Sequence, residues 1–190
     1  MAEIRKVLLF IGIIYSRENK SNLNKIKDTL IEKFGNIILD MQAVSFDYTS
    51  YYNLEMGNNL EKIFYAFEHF INSLDISKIK IFTNEIEQRF AAIDKKRKFN
   101  LDPGYLDLAK IVLVSTKDFA HRIYIGDEIF AELTMLYNNP KKSKEISRYK
   151  FLPWTYPDFK TENYLEFFIR ARNFYLDEMR REKKLKNLIN

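Results

Sequence analysis

"LEKIFYAFEHFI", Leu60 to Ile71, fits two periods at once, and the architecture turns on which one holds. Ile63, Tyr65, Phe67, His69 and Ile71 alternate as in a strand, whereas Leu60, Ile63, Phe64, Phe67 and Ile71 suit a helical stripe. Aromatic and β-branched residues dominate, which favours strand. Upstream, "KVLLFIGIIY" (Lys6 to Tyr15) is apolar throughout, as a strand buried on both faces would be. A helix capped by Ser21 or Asn22 follows, with the stripe Leu23, Ile26, Leu30 and Phe34 and a stop at Gly35. "NIILDMQAVSF" reads as a second strand, and Asp47 to Asn59 as a Tyr- and Asn-rich loop.

Downstream, "KIKIF" reads as a short alternating strand and "TNEIEQRFAAI" as a helix, with Asn84 and Glu87 spaced as a capping box. Lys95 to Lys98 form a basic turn, and Pro103-Gly104 marks a turn within "FNLDPGYL". "KIVLVST" is a further buried strand, Asn138 to Lys144 a polar loop, and "LPWTYPDF" an irregular segment. A helix begins near Glu162, with Tyr164, Phe168, Ala171, Tyr175 and Met179 on one face. The order β-α-β-β-α followed by more strands predicts a ferredoxin-like α+β core. Extra antiparallel strands, including a hairpin in the C-terminal half, and a long C-terminal helix extend it. No linker or repeat divides residues 1–190, which are expected to form one domain.

The 46% hydrophobic and 30% charged composition is that of a globular chain. Without cysteine, disulfides, thiol nucleophiles and thiolate metal sites are excluded, and a cytoplasmic location is expected. The apolar run from Val7 to Ile14 is too short to span a bilayer, and no leader-cleavage pattern follows it; no membrane association is expected. The net charge of +5 concentrates in the C-terminal helix end, residues 180–190. Arg180, Arg181, Lys183, Lys184 and Lys186 face only Glu182 there. Such an end compensates the helix dipole or attracts RNA or phosphate.

"STKDFAHRIYIGDEIFAELTMLY", Ser115 to Tyr137, reads as a hairpin whose register follows from its loop. A three-residue loop, Gly126-Asp127-Glu128, pairs Ile125 with Ile129, Ile123 with Ala131 and Arg122 with Glu132. Ile123, Ile125, Ile129, Ala131 and Leu133 then share one face, and Arg122, Tyr124, Phe130, Glu132 and Thr134 the other. The second face is either a solvated ion-paired surface or a ligand-facing one. His121 falls at the start of the strand on the apolar side, and His69 among phenylalanines is expected to be structural.

No G-x-x-x-x-G-K-[ST], G-x-G-x-x-G or G-x-S-x-G occurs, and five scattered glycines build no phosphate loop. Two distant histidines make zinc unexpected, while an all-carboxylate magnesium site is compatible with the sequence. Asp102, Glu132 and Asp158 are the first carboxylates to test, each set at a turn or in an apolar segment.

"YYNLEMG" (Tyr51 to Gly57), "NLDPGYL" (Asn100 to Leu106), "STKDFAHRIYIGDEIFAELT" (Ser115 to Thr134) and "PWTYPDF" (Pro153 to Phe159) occur in order along the chain. Through these blocks it resembles an uncharacterised bacterial family. That family is a domain of unknown function whose members often carry the label "GTP-binding protein". The resemblance implies candidate positions at Glu55, Asp102, Lys117, His121, Arg122, Glu132, Trp154 and Asp158. It also marks Glu128 as a departure, since the family usually has a second glycine in that turn. No Walker loop or guanine-reading N-K-x-D element supports GTP, although Lys and Arg can hold a nucleotide that stacks on Tyr or Trp.

Three functions compete. In the first, a phosphorylated small molecule, nucleotide or RNA end is bound or processed. Glu132, His121 and Asp102 would be catalytic, and Lys117, Arg122, Trp154, Tyr124, Asp158 and Glu55 would bind ligand. In the second, "FLPWTYPDF" and the basic helix form a non-enzymatic protein-interaction surface. In the third, an aromatic sheet face binds single-stranded RNA, against which the absence of an RNP-like run counts.

Overall fold

The computed structural model describes residues 6–92, 96–138 and 149–189. Strand β1 (Lys6–Ser16) leads through a 3₁₀ turn into α1 (Lys20–Phe34), then β2 (Ile37–Asp40), β3 (Val44–Ser45) and a short α2 (Asn53–Met56). Next come β4 (Leu60–Phe67), β5 (Ile71–Asn72), α3 (Ile76–Arg89), β6 (Phe99–Leu106) and β7 (Lys110–Ser115). The chain continues through β8 (Ile123–Tyr124), β9 (Phe130–Tyr137), β10 (Tyr149–Phe151) and α4 (Glu162–Ile189). The sheet is antiparallel, ordered β10-β9-β7-β6-β1-β4-β2. Its β6-β1-β4-β2 half carries the β-α-β-β-α-β connectivity of a ferredoxin-like core, and β7, β9 and β10 continue it as a wing.

Leu60–Phe67 is a strand, buried along its whole length because β1 flanks it and side chains cover both faces. One face packs Leu9, Ile11, Ile13 and Tyr15 of β1 against Leu23, Ile26, Leu30 and Phe34 of α1 and Ile79 and Ile86 of α3. The other packs Leu8, Phe10, Phe64, Leu113 and Met135 against Tyr164, Phe168, Ala171 and Tyr175 of α4. Phe168 is wholly buried, edge-on to Phe10 and Phe64, so its transfer from water alone is worth about 1.5–3 kcal/mol. Gly35 ends α1 at φ +84°, with the His69 ring over it.

Several expectations are corrected. "KIKIF" is not a strand: it lies inside α3, where Ile76, Ile79, Thr83 and Ile86 follow the helical period and Ile81 faces out. Asn84 therefore sits in mid-helix and caps nothing. Helix α1 begins at Lys20 rather than at a Ser21 or Asn22 cap. "NIILDMQAVSF" is two short strands, both paired with β4, and the Asp47 to Asn59 loop contains α2. Pro103-Gly104 is no turn but lies within β6, opposite Ile11 and Phe10. Of the basic turn, Lys95 lies outside the described residues, as do residues 139–144 of the polar loop.

The three-residue hairpin register holds. Ile123 pairs with Ala131, Tyr124 with Phe130, and the Ile125 amide donates to Ile129 at 2.9 Å. Gly126, Asp127 and Glu128 have φ of +97°, +54° and +58°. That left-handed backbone explains the preference for a second glycine where this chain has Glu128. The register keeps the expected division of faces, but at the outer end of the hairpin Ile123 is 72% exposed. The main partner of β9 is instead β7, and the 116–129 segment is a lobe between them.

Candidate functional site

The site begins with a break in pairing. Strand β6 matches β1 along its whole length, from Leu8–Leu106 to Tyr15–Phe99, but meets β7 only at Gly104–Leu113, Tyr105–Val112 and Leu106–Ile111. Before Gly104 the two strands diverge and the sheet forks. In an antiparallel strand alternate residues direct their backbone groups to the same neighbour. Leu101, Pro103 and Tyr105 thus address the β7 side, and only Tyr105 finds β7 there. Helix α3 satisfies Leu101 instead: its amide donates to Glu87 Oε1 at 2.7 Å, and its carbonyl accepts from Lys80 Nζ at 2.7 Å. Pro103, lacking an N–H, leaves no orphan donor in the gap. Gly104 is the outermost residue paired with β7, and glycine permits that approach, since a Cβ there would lie 2.5 Å from both Phe10 Cζ and the Val112 carbonyl.

A cleft of about 430 Å³ fills the fork on the α4 side of the sheet, beyond the reach of that helix. Lys62, Asn100, Asp102, Leu113 and Glu132 come from strands, and Lys80 and Glu87 reach in from α3. Tyr51 and Tyr52 form one wall, Lys117, Phe119 and Arg122 a second, and Tyr156 and Asp158 a third.

Most of these charges are paired. Lys62 Nζ lies 2.7 Å from Asp158 Oδ2, and the Phe46, Phe64, Phe159 and Tyr164 rings surround the ammonium at 4.9–5.4 Å. Asp102 accepts from Asn100 Nδ2 at 2.6 Å and lies 3.6 Å from Lys80. Arg97 grips both oxygens of Glu55, at 2.9 and 2.7 Å, and reaches Asn100 Oδ1 at 3.1 Å. Hydrogen bonding from Arg97 holds the Glu55 carboxyl below its ordinary value, while burial pushes the Glu87 carboxyl up.

Arg122 fastens the mouth. Its Nε donates to Glu132 Oε2 at 2.8 Å, Nη1 to the Lys117 carbonyl at 2.7 Å and Nη2 to the Tyr156 hydroxyl at 2.6 Å. His121 Nε2 lies 3.2 Å from the same Glu132 oxygen, its ring stacked between Phe119 and Trp154. Lys117 differs: among the described residues no carboxylate pairs with it. Its ammonium rests 3.8 Å from the Tyr51 ring centroid, and its hydrogen bond lowers the Tyr51 phenol below the ordinary value.

Asp102, Lys117, Arg122, Glu132 and Asp158, named from sequence, thus line one cleft. Glu55 stands behind Arg97, and His121 and Trp154 behind Glu132. His121 is not on an apolar face, since the loop before β8 turns it toward Glu132. Trp154 is held by its Nε1 donating to the Leu133 carbonyl at 2.8 Å, where a bulge at Thr134 interrupts pairing with β7. Tyr124 points away, edge-on to Phe130 and 60% exposed. Lys62, Lys80, Glu87, Asn100 and Arg97 were missed. Two of them carried a signal: Lys80 and Glu87 are seven residues apart and so share a helical face, but only once "KIKIF" is read as helix.

Among the described residues no group of three or more His, Cys, Asp or Glu side chains could hold a metal ion. No described helix is long and apolar enough to cross a membrane. Neither a curated protein nor a solved structure matches the chain. A sequence signature does match, over residues 5–175, which include every cleft residue named above, and by it the chain belongs to the family described as Domain of unknown function (DUF4416).

Proposed function

We propose that the forked cleft binds a small phosphorylated ligand, such as a nucleotide or an RNA end. The observation that carries this reading is Lys117, a cation without a carboxylate partner among the described residues, resting on an aromatic ring at the mouth of a cleft. A phosphate offers that ammonium a charge-assisted bond stronger than its contact with the Tyr51 ring. Tyr51, Tyr52, Phe119 and Tyr156 supply ring faces for a base or sugar. Arg122, with all three nitrogens engaged and its side chain 3% exposed, positions the wall rather than gripping ligand. Glu132 and Asp102 are the groups for acid–base steps or cation contacts. The proposed location is the reducing cytoplasm, which suits a chain without cysteine.

Calorimetric titration with GTP, ATP, inorganic phosphate and a short 5′-phosphorylated RNA tests this. Saturable binding of at least one is expected, weakened about tenfold by Lys117→Ala, the size of one charge-assisted contact. Absence of saturable binding by all four, or indifference to Lys117→Ala, overturns it.

A second reading, distinct from the surface of the Pro/Trp segment and basic helix, is a protein-interaction surface on the outer hairpin lobe, where Phe119, Ile123 and Tyr124 stand exposed. Self-association lost on Ile123→Glu, measured by sedimentation, would support it; a monomer in both proteins would not.

A further inference from the structure

We infer that the ligand of this cleft carries a hydroxyl or amine donor for Glu132 beside the anionic group met by Lys117. It is then a phosphorylated sugar or nucleoside rather than a bare phosphate or an alkyl phosphate. The inference rests on the ligand-binding reading above and names the chemistry of its occupant.

Glu132 is 2% exposed and lies on β9 opposite Leu113, on the sheet face that floors the cleft. A carboxylate accepts at both oxygens and donates at neither. Here the two are unequally served. Arg122 Nε at 2.8 Å and His121 Nε2 at 3.2 Å both address Oε2, whereas Oε1 is buried without any hydrogen-bond partner. A buried acceptor without a donor is costly, and native structures keep few of them.

The neighbours do not relieve it. Both side chains that reach Glu132 come to the same oxygen, and the remaining nitrogens of Arg122 are taken by the Lys117 carbonyl and the Tyr156 hydroxyl. Glu132 lines the cleft, so a guest bound there can supply the missing donor. The same guanidinium that holds Glu132 also holds the Lys117 backbone carbonyl, and Lys117 and Glu132 line the same cleft. One small molecule with a phosphate for Lys117 and a hydroxyl or amine for Glu132 would engage both. A site built around a buried acceptor discriminates against an analogue lacking the donor, because that analogue leaves the acceptor unpaired.

The test uses the full chain and two probes of similar length, ribose 5-phosphate and pentyl phosphate, titrated by calorimetry with inorganic phosphate as reference. The expected result is ribose 5-phosphate binding at least about tenfold tighter than pentyl phosphate. Glu132→Gln, which keeps the shape and an oxygen for Arg122, should reduce that ratio to within about twofold. The comparison on the unaltered protein stands whether or not the variant folds. Equal affinity for the two probes overturns the inference while leaving phosphate binding intact, and identifies Oε1 as served by an internal water. A ratio that survives in a folded Glu132→Gln protein overturns it as well. Failure of every phosphate probe removes the underlying reading and the inference together.

Discussion

Replacing Asp158 by alanine would strand the Lys62 ammonium. Both side chains of the pair are 5% exposed, they meet at 2.7 Å, and four aromatic rings stand around the ammonium. The rings are present before and after the substitution, so they cannot replace the lost carboxylate. Breaking one partner of a buried pair costs about 3–5 kcal/mol. In a chain of this length that lowers the melting temperature by about 6–20 °C, at roughly 2–4 °C per kcal/mol. The double replacement Lys62→Met/Asp158→Leu removes the charge instead of isolating it, and hands the Phe46, Phe64 and Phe159 surroundings two apolar side chains. It should recover most of the loss and could exceed the parent in stability. Urea unfolding followed by circular dichroism, with the denaturant slope checked for constancy, gives both values. A cost below about 1 kcal/mol for Asp158→Ala, or a double variant as unstable as the single one, would refute the idea that this pair is a desolvated charge clamp at the cleft wall.

Gly104→Ala should cost about 1–3 kcal/mol by thermal melting, because the new methyl meets the Val112 carbonyl as well as the buried Phe10 ring; a neutral result would mean that β7 can shift freely. Glu87 gives a pH signature. Burial raises its carboxyl in the folded protein, so the stability from its bound proton is complete below the ordinary glutamate value and is lost as pH rises through the raised one. Glu87→Gln mimics the protonated form and escapes that loss. The variant's stability relative to the parent should therefore rise with pH between the two values; parallel curves from urea midpoints would refute the assignment.

Sequence carried far for elements whose pattern answers to one neighbour. The α1 stripe Leu23, Ile26, Leu30 and Phe34 is buried as its period demands, and the hairpin register followed from side-chain parity alone. It failed where tertiary context overrides local preference. "KIKIF" alternates like a strand, yet α3 places Ile79 inside and Ile81 outside. Pro103-Gly104 has turn chemistry, yet a strand tolerates the proline where its outer neighbour has departed. The blocks resembling a known family supplied five residues that the structure brings to one cleft. Their contacts remained illegible, because Lys62–Asp158 and Arg97–Glu55 join positions 96 and 42 residues apart, and no local pattern encodes such closure. Buried Lys80 and Glu87 were hidden for a related reason: a charged residue on an inner helical face is explained only by the Leu101 backbone it serves.

The three residue pairs that join β6 to β7 make a narrow seam between two unequal bodies. The pairing of β1 with its neighbours does not pass through the seam, while α4 packs on β1 and β4 on one side of it and on β7 and β9 on the other, like a strap. Both rims of the fork thus share one support. Substitutions along the strap, at Phe168 or Ala171, would tune which guests are admitted, although neither side chain lines the opening.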